Sequence, residues 1–507
     1  MTEQTNFDPL VVVEKATGKT LDMVAVASAQ LIADKIARGR RATPDWARLR
    51  VGERTAILRT LRARISSAAD ELSQLISQEN GKPCHESLLH EVVPTLETID
   101  WLIENADAFL ANIPLTPKWL KHRSHVVSRR PRGVTAILSP FNFPFLISAV
   151  DSLTALTAGC SAIIAPSAHC PLSAARFVAL SHASGIPSDV LSVIQGGASV
   201  GAELVGGDVD AVVFTGSYEN GRKVAVQCAQ KLIACTLELG GNCPLVVLND
   251  ANLERTARAI LFGALSNSGQ SCLAVGRVLV PRALAPKLAD ILLPLIRAMR
   301  QGDPLSGPVE LGALTTKTQL ERCLCHVTQA TENGATRLSG GRIVESEGRF
   351  FEPTLLTNCD PSHLVYQQET FGPVIALCPY DDEATLVRQL NCDESGLAAY
   401  VFGSDLERAK RIAEKLDYAH VVIDHVLLTY VCPEVPLSGL RQSGLGTVHG
   451  KDGFLSHSTP QVLAAPKVRL PDELEFSLGS PERAEAVART FLTTTNAMSK
   501  LTRFWQR

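Results

Sequence analysis

The sequence lacks the patterns that mark several large classes of protein. Its 13 cysteines include no C-x-x-C pair, the spacing found in many zinc sites and redox motifs. No run of about 18 uninterrupted apolar residues occurs, so no transmembrane helix is expected. Like charges form no block, and 49 basic against 52 acidic residues give a net charge of −3. This balance gives no reason to expect nucleic acid as a partner.

The cysteines and the first residues favour a cytoplasmic protein without a metal. Cys323, Cys325 and His326 form a C-L-C-H group, but no second pair lies near them in sequence to complete a zinc site. An odd number of scattered cysteines is typical of reduced thiols. The N-terminal sequence MTEQTNFDPL has no basic region followed by an apolar stretch, so no signal peptide is expected.

What is present is enough apolar sequence for more than one core. The 507 residues are 45% hydrophobic and 20% charged, and this length predicts about two to four domains. Helical spacing dominates 51–110, and a turn signal at 131–133 divides the β-rich segment 125–138 into two strands. Short apolar strands then alternate with helices; the predicted strands are 161–164, 190–194, 210–214 and 244–248. This alternation predicts a doubly wound parallel sheet, and its return after Asn252 predicts a second α/β domain.

Three short segments carry residue types that together suit acyl chemistry. They are Ser-Pro-Phe-Asn-Phe-Pro at 139–144, Leu-Glu-Leu-Gly-Gly-Asn at 237–242 and Asn-Ser-Gly-Gln-Ser-Cys at 267–272. A thiolate at Cys272 can attack a carbonyl carbon. The amide of Asn142 can stabilise the resulting oxyanion, and Glu238 can act as the base that activates water. Taken singly, each residue is more often structural: a buried thiol, a turn-forming Asn or a capping Glu.

In this order along the chain, the three segments resemble the aldehyde dehydrogenase superfamily. Further segments agree: Val-Phe-Thr-Gly-Ser at 213–217 followed by Gly221, Glu-Thr-Phe-Gly-Pro at 369–373, and the glycine-rich stretch 436–446. The resemblance extends from about Thr43 to Ala465. It implies a nicotinamide-dependent enzyme that oxidises an aldehyde to a carboxylate through a cysteine thioester. It also implies an α/β fold with two doubly wound parallel-sheet domains and a small antiparallel oligomerisation sheet.

The resemblance further implies how the chain is divided. Residues 1–123 and 138–241 would form a Rossmann-like cofactor-binding domain, and 242–435 the catalytic domain. Segments 124–137 and 436–469 would form the bridging sheet that holds a homodimer or homotetramer together. An exposed sheet edge of this kind needs a partner to cover it.

By the same resemblance, Cys272 is the nucleophile that forms the thioester. Asn142 binds the oxyanion together with the backbone N–H of Cys272. Glu238 activates the water that hydrolyses the thioester after hydride has left for the nicotinamide.

The cofactor implied by the resemblance is NAD or NADP. Glu369 would bind the nicotinamide ribose, and Phe371 would pack near the ring. The turn from Gly216 to Gly221 joins a predicted strand to a helix, whose N-terminus can hold a pyrophosphate. The residues expected to contact the cofactor are Ser139, Pro140, Phe141, Ser167, Gly216, Ser217, Gly221, Leu239, Gly240, Glu369 and Phe371.

The chain departs from the family pattern at two places. Family members usually carry Lys-Pro-Ser-Glu where this chain has Ala165-Pro-Ser-Ala168, so the Lys and Glu that normally hold the adenine ribose are absent. The missing Glu would repel a 2′-phosphate and the missing Lys would attract it, so the choice between NAD and NADP stays open. His169 is a candidate substitute for the Lys, although a surface histidine in a loop is the more ordinary interpretation. In the late segment, Leu437 and Ser438 replace Phe and the first Gly, which alters the wall expected near the substrate entrance.

The substrate and two alternative functions stay open at the level of sequence. Residues 151–153 (Asp-Ser-Leu) and the pattern from Ser443 to Gly453 resemble the succinic-semialdehyde dehydrogenase subgroup. A carboxylate-bearing substrate would need Arg or Lys in its tunnel, with Arg277 and Arg441 as candidates, and a hydrophobic aldehyde is the alternative. A CoA-acylating relative typically lacks the base at Glu238, which counts against that function. The other alternative is a weakly active or non-catalytic relative with impaired cofactor binding.

The C-terminal tail, 470–507, lies mostly beyond the resemblance. Ser480-Pro481-Glu482 predicts a helix start, and apolar residues at spacings of three and four predict an amphipathic stripe along it. We expect this helix to dock on the protein's own surface or on a neighbouring subunit. A peripheral membrane contact through Phe504 and Trp505 is the alternative.

Overall fold

The computed structural model describes residues 8–117, 123–468, 480–486, 488–490 and 492–493. The chain divides into two compact units. One contains the described residues up to Leu110 together with Arg130–Thr459, and the other contains Ala111–Arg129 with the described residues from Pro460 onward.

The first large sheet of the main unit is six-stranded and mostly parallel. From edge to edge its strands are Gly444–Leu445, Ala234–Leu239, Ala211–Gly216, Val134–Ser139, Ser161–Pro166 and Leu191–Val193. All neighbours are parallel except the first pair, which is antiparallel. The strand that comes first in the chain therefore lies between the second and the fourth of the parallel strands. This reversal of strand order is where open α/β sheets bind their ligands.

Helices cover this sheet, and their apolar faces form its cores. They are Ala29–Arg48, Val51–Ser67, Ala69–Asn80, Cys84–Ser87, the π-turn Leu88–Val92, Val93–Leu110, Pro144–Thr157, Leu172–Ala183, Ala198–Gly206 and Tyr218–Lys231. Leu58, Leu61 and Ile65 recur at spacings of three and four, which places them on one helix face, and all three are fully buried. The side chain of Ser28 caps the first helix by accepting a hydrogen bond from the Leu31 N–H.

The second large sheet has seven strands. From edge to edge they are Thr336–Ser339, Thr354–Thr357, Val374–Tyr380, Val275–Pro281, Cys243–Val247, Ala398–Phe402 and His420–Ile423. Only the first pair is antiparallel. The helical segments of this part are Leu253–Leu265, Ser266–Gly269, Ala285–Arg297, Lys317–Glu332, Leu364–Gln367, Glu383–Leu390, Leu406–Ala413 and Leu428–Val431. The helix Gly450–Ser456 packs on the other part instead, because its Phe454 belongs to the core that contains Leu58, Leu61 and Ile65.

Smaller sheets complete the described structure. Leu10–Val13 pairs with Thr20–Val24, and Ser395–Gly396 pairs with Leu440–Arg441. A three-stranded sheet consists of Ile113–Leu115, Arg123–Pro131 and Ser458–Pro466. Its first two strands are antiparallel, with Ile113 opposite Val127.

The predicted fold class is confirmed: two parallel-sheet α/β layers with small antiparallel sheets. The predicted strands and helices are found, with ends shifted by no more than two residues, and the helical segment 51–110 is divided into several helices. The segment 124–137, expected to belong to the bridging sheet, is divided between two sheets. Its first part lies in the strand Arg123–Pro131 of the three-stranded sheet, and its last part lies in the strand Val134–Ser139 of the six-stranded sheet. Three elements are not predicted by the sequence patterns: the hairpin Leu10–Val13 with Thr20–Val24, the helix Ala29–Arg48 and the helix Pro144–Thr157. The last of these is buried on every side, so its sequence does not divide into an apolar and a polar face.

The described part of the tail is helical from Pro481. The Ala484 N–H donates to the Ser480 carbonyl at 3.1 Å, and Glu485 forms an ion pair with Arg489. The helix start predicted at Ser480 is therefore present. The expected interface residues Phe504 and Trp505 lie outside the described residues. In the described ranges, no helix is both long and apolar enough to cross a membrane.

Candidate active site

A tight left-handed turn presents Cys272. Asn267, Ser268 and Gly269 have φ values of 51°, 52° and 76°, and the chain then passes through Cys272 into the strand Val275–Pro281. A Cβ on Gly269 would lie 2.2 Å from the carbonyl oxygen of Gly372, so only glycine fits here. The turn is anchored because the Asn267 N–H donates to Glu86 Oε2 at 2.8 Å.

Asn142 lies where the strand Val134–Ser139 leads into the helix Pro144–Thr157. Its backbone carbonyl accepts a hydrogen bond from Lys82 Nζ at 2.7 Å and another from Asn267 Nδ2 at 2.9 Å. The side chain of Asn267 also donates to the Gln270 carbonyl at 3.1 Å. Hydrogen bonds thus join the predicted oxyanion segment to the turn that carries the cysteine.

Glu238 and Cys272 line one narrow cavity, which we call the inner cavity. Its lining residues are Ile147, Val150, Asp151, Thr215, Glu238, Cys272, Leu273, Leu397, Tyr430, Leu437, Val448 and His449. Its volume of about 20 Å³ holds roughly one water molecule. Oε1 of Glu238 is buried and has no hydrogen-bond partner within the described ranges. An acceptor of this kind can bind and deprotonate a water placed beside the cysteine.

Burial controls the protonation of this cavity. It raises the pKa of Glu238 well above its usual range, and the nearby charge of Asp151 raises it further. Burial also raises the pKa of Asp151 to about 7. The pKa of Cys272 is raised by burial and by the charges of Glu369, Cys243 and Glu238. At neutral pH Cys272 is therefore a thiol that needs a base to become a nucleophile.

Three polar residues of the inner cavity had no predicted role: Asp151, Tyr430 and His449. Burial lowers the pKa of His449 to about 4, so its ring is neutral, and its Nδ1 has no hydrogen-bond partner in the described part of the chain. The Tyr430 ring lies 5.7 Å from the His449 ring. The sequence pattern included Asp151 and His449 only as parts of a subgroup resemblance, and no local signal points Tyr430 to the site.

A wider channel adjoins the inner cavity. This outer channel has a volume of about 480 Å³. It is lined by Leu89, His90, Val93, Pro94, Glu97, Phe143, Phe262, Ser266, Ser271, Leu273, His425, Val426, Leu427, Leu428, Tyr430 and Val431. Leu273 and Tyr430 line both spaces. Because Ser271 and Leu273 flank Cys272, the outer channel leads toward the predicted nucleophile.

Most residues predicted to contact the cofactor lie at the carboxyl ends of the six-stranded sheet. Ser139 and Gly216 end two adjacent strands at the reversal of strand order. Ser217 is the N-cap residue of the helix Tyr218–Lys231. A Cβ on Gly221 would lie 2.5 Å from a methyl carbon of Leu239, so this glycine lets the helix approach the strand Ala234–Leu239. The result is an exposed helix N-terminus at the sheet edge, which suits a pyrophosphate.

Glu369 supplies an independent sign of a cofactor site. It lines a narrow space with Thr370, Phe371 and Gly241, and a Cβ on Gly240 would lie 2.3 Å from Glu369 Oε2. Glu369 Oε1 has no hydrogen-bond partner among the described residues. A buried acceptor without a partner fits the hydroxyl groups of a ribose, so the residues present fit a nicotinamide dinucleotide.

The remaining predicted contacts lie near an aromatic cluster. The Phe141 ring packs edge-on against Phe371 at 5.9 Å and against His169 at 6.2 Å. The Ser167 N–H donates to the Ser139 carbonyl at 2.9 Å, which fixes the loop after the strand Ser161–Pro166. Burial lowers the pKa of His169, so its ring is neutral at pH 7 and does not replace the missing lysine as a cation.

Comparison with known proteins agrees with this geometry. The aldehyde dehydrogenase family model matches residues 1–462. Glutarate-semialdehyde dehydrogenase of Pseudomonas putida is 33% identical over 451 residues, which are 89% of this chain and 92% of that protein. Succinate-semialdehyde dehydrogenase [NADP(+)] GabD of Escherichia coli shows the same identity and coverage. The 4,4'-diapolycopene aldehyde oxidase of a Methylomonas species is 32% identical, over 92% of this chain and 87% of that protein.

Solved structures show the same fold. An NADP dependent enzyme of E. coli superposes with a TM-score of 0.87 at 31% identity, over 91% of this chain and 95% of that chain. PnpE in complex with nicotinamide adenine dinucleotide has a TM-score of 0.88 at 28% identity, over 92% and 96%. The chain belongs to the aldehyde dehydrogenase family and is an NAD(P)-dependent aldehyde dehydrogenase.

Proposed function

We propose that Cys272 is the nucleophile of aldehyde oxidation and that Glu238 is the base for hydrolysis. The observation that carries this proposal is that the two side chains line one cavity with room for about one water. The Cys272 sulfur bonds to the aldehyde carbon, and the thiol proton passes to solvent, so Glu238 stays free to act in the hydrolysis. The carbonyl oxygen becomes an oxyanion.

Asn142 stabilises that oxyanion together with the Cys272 N–H. The proposal is supported by the fixed position of the Asn142 backbone, because its carbonyl accepts hydrogen bonds from Lys82 and Asn267. A donor that is fixed before the reaction stabilises developing charge without reorganisation. When bound, a nicotinamide cofactor would supply the hydride acceptor, and loss of hydride would leave the adduct as a thioester on Cys272. Glu238 then takes a proton from water, the hydroxide attacks the thioester carbon, and the C–S bond breaks to release the carboxylate and free Cys272.

The cofactor-binding residues are proposed from the same sheet edge. Ser139, Pro140, Phe141, Ser167, Gly216, Ser217 and Gly221 would hold the pyrophosphate and adenosine end. Leu239, Gly240, Glu369 and Phe371 would enclose the nicotinamide end. In this proposal the part of the chain built on the six-stranded sheet binds the cofactor, and the part built on the seven-stranded sheet carries Cys272. Hydrolytic oxidation is favoured over CoA acylation because a base is present at Glu238.

We further propose a homodimer or homotetramer in the cytoplasm. Val462 and Leu463 on the strand Ser458–Pro466 are 60% and 65% exposed, and Ile113 and Leu115 are about half exposed. Apolar residues on an exposed sheet favour association with another copy. Light scattering of the purified protein tests this proposal, and a monomeric mass at micromolar concentration contradicts it.

The catalytic proposal is tested by trapping the thioester. Purified wild type with an aldehyde and NAD or NADP should form the reduced cofactor. Glu238→Gln should accumulate an acyl group on Cys272, detected by mass spectrometry of the digested protein. Cys325→Ala serves as the control, because Cys325 is exposed and is not part of either cavity. An acyl group on another cysteine, or none at all, contradicts the proposal.

A further inference from the structure

The outer channel has an apolar rim. Leu89, Val93, Phe262, Leu428 and Val431 line it, and each remains between 38% and 55% exposed. Single exposed apolar side chains are common on protein surfaces, but several clustered around one opening indicate a binding surface. The channel shares Leu273 and Tyr430 with the inner cavity, so its occupant would be the body of the substrate whose aldehyde reaches Cys272.

The described lining carries no Lys or Arg that could meet a carboxylate, and His425, one of its two histidines, has its Nδ1 2.7 Å from the Val426 carbonyl oxygen. Burial lowers the pKa of His90 to about 4, with help from the charge of Lys82, so His90 is neutral. The carboxyl group of Glu97 lines the same channel and would repel an acidic substrate.

The arginines expected from the sequence to bind an acidic substrate lie elsewhere. Arg277 is 3% exposed, forms an ion pair with Asp393 and stacks over the Tyr366 ring at 4.7 Å. Arg441 forms an ion pair with Asp417. Both guanidinium groups are engaged, and neither lines the channel.

Three other cations lie near the channel without lining it. Lys82 Nζ lies 4.1 Å from the Phe143 ring centroid but is fully buried and bound to Glu91. Arg255 and Arg258 line a neighbouring groove that shares Phe262, His425 and Val426 with the channel. Arg255 forms an ion pair with Asp424, in which Nε lies 2.8 Å from Oδ2. A carboxylate inside the channel would therefore be desolvated without a partner, which is strongly unfavourable.

We propose that the substrate is an aldehyde with an apolar body, aliphatic or aromatic, and without a carboxylate at its far end. This inference rests on the proposed function, because it takes the outer channel as the entrance to Cys272. The volume of about 480 Å³ falls within the range of small-molecule sites, which are mostly apolar. The apolar body replaces water along the leucine, valine and phenylalanine walls.

Matched substrate pairs test the proposal directly. Each pair consists of an unbranched alkyl aldehyde and an aldehyde of equal length whose far end is a carboxylate, for example octanal and 8-oxooctanoate. For wild type, kcat/KM of the alkyl series should rise by about fourfold per methylene until the channel is filled. The carboxylate member should be poorer by about tenfold or more. Equal or better use of the carboxylate member would overturn the proposal.

Channel variants add a second test. Leu428→Arg places a cation on the rim and should improve kcat/KM for 8-oxooctanoate relative to octanal by about tenfold. Leu406→Arg is the matched control, since Leu406 is exposed and lies on the helix Leu406–Ala413, outside the channel lining. Arg258→Gln distinguishes the neighbouring groove: a loss of 8-oxooctanoate turnover in this variant would show that acids are recognised there and would overturn the proposal.

Binding to Cys272→Ala separates this inference from the proposed function. Calorimetric titration of that variant with octanal and with 8-oxooctanoate reports channel preference without turnover. If wild type oxidises neither aldehyde, the proposed function fails, and preferential binding of octanal would still support the apolar channel. If wild type oxidises the acidic aldehyde better, the function stands and the apolar substrate class is wrong.

Discussion

Lys82 Nζ lies 2.6 Å from Glu91 Oε1, and both side chains are completely buried. The pair also supports the site. Lys82 donates to the Asn142 carbonyl at 2.7 Å, and Glu91 Oε2 accepts from the N–H groups of Phe145 and Leu146 at 2.8 and 3.1 Å. Glu91 thus caps the N-terminus of the helix Pro144–Thr157, and the ion pair links that cap to the oxyanion segment.

Removing one partner of this pair should destabilise the protein strongly. Lys82→Met leaves Glu91 as a buried charge without its cation, at a cost of about 3–5 kcal/mol. The midpoint of urea unfolding, followed by tryptophan fluorescence, measures the loss. The double variant Lys82→Met/Glu91→Gln should lose less than the sum of the single variants. Arg282→Met, which breaks the exposed pair with Asp381, is the control and should change little. An unchanged midpoint for Lys82→Met would contradict this account.

Cys272→Ala should abolish dehydrogenase turnover while leaving the fold intact, because the sulfur forms the bond to the substrate. The residual rate of cofactor reduction and the circular dichroism spectrum are the measurements. Cys243→Ala tests specificity: its Sγ donates to the Cys272 carbonyl at 3.4 Å, so this variant should retain the reaction. Full activity in Cys272→Ala would exclude the proposed mechanism.

Glu238→Gln should slow deacylation more than acylation, because water attack needs a proton acceptor. Rapid mixing should show a burst of reduced cofactor followed by steady-state turnover reduced by about 10²-fold or more. Loss of the burst itself would assign Glu238 to the acylation step instead.

The pH dependence should identify Asp151 as a neighbour of the base. Glu238 acts as a base only when deprotonated, so turnover should rise as pH increases through its raised pKa. Asp151→Asn removes a negative charge that raises this pKa, so the rising limb of the pH–rate profile should move to lower pH. Asp381→Asn at the surface should leave the profile unchanged. A shift to higher pH would contradict the proximity of the two carboxyl groups.

Cofactor selectivity should be weak in wild type and adjustable at two positions. Ala165 is the second-last residue of the strand Ser161–Pro166, and Ala168 lies in the loop that follows this strand. Ala165→Lys should tighten the binding of both NAD and NADP by about 1 kcal/mol or more through charge-assisted hydrogen bonds. Ala168→Glu should favour NAD by repelling the 2′-phosphate. Quenching of tryptophan fluorescence measures both affinities, with Ala384→Lys on an exposed helix position as the control. A wild type that binds NAD tightly and selectively would contradict this prediction.

The sequence by itself determined the family, the α/β class and the segments that carry Cys272, Glu238 and Asn142. These features are local: strands and helices follow from the spacing of apolar residues, and each catalytic segment is a short motif beside Gly or Pro. The resemblance also pointed to Glu369. Its Oε1 has no hydrogen-bond partner among the described residues, which fits the expected contact with a ribose.

Only the tertiary structure decided what surrounds those residues. Strand order brings Asp151, from a helix of the six-stranded part, into one cavity with Cys272 and with His449, although the three are far apart in the chain. It also assembles the apolar channel from four separate parts of the chain and leaves Arg277 and Arg441 paired elsewhere. Periodicity fixes which face of an element is buried, but which side chains converge depends on the order of strands and the path of loops. The substrate class was therefore open in the sequence, and what favours an apolar aldehyde is a channel lining that is mostly apolar and, among the described residues, holds no Lys or Arg.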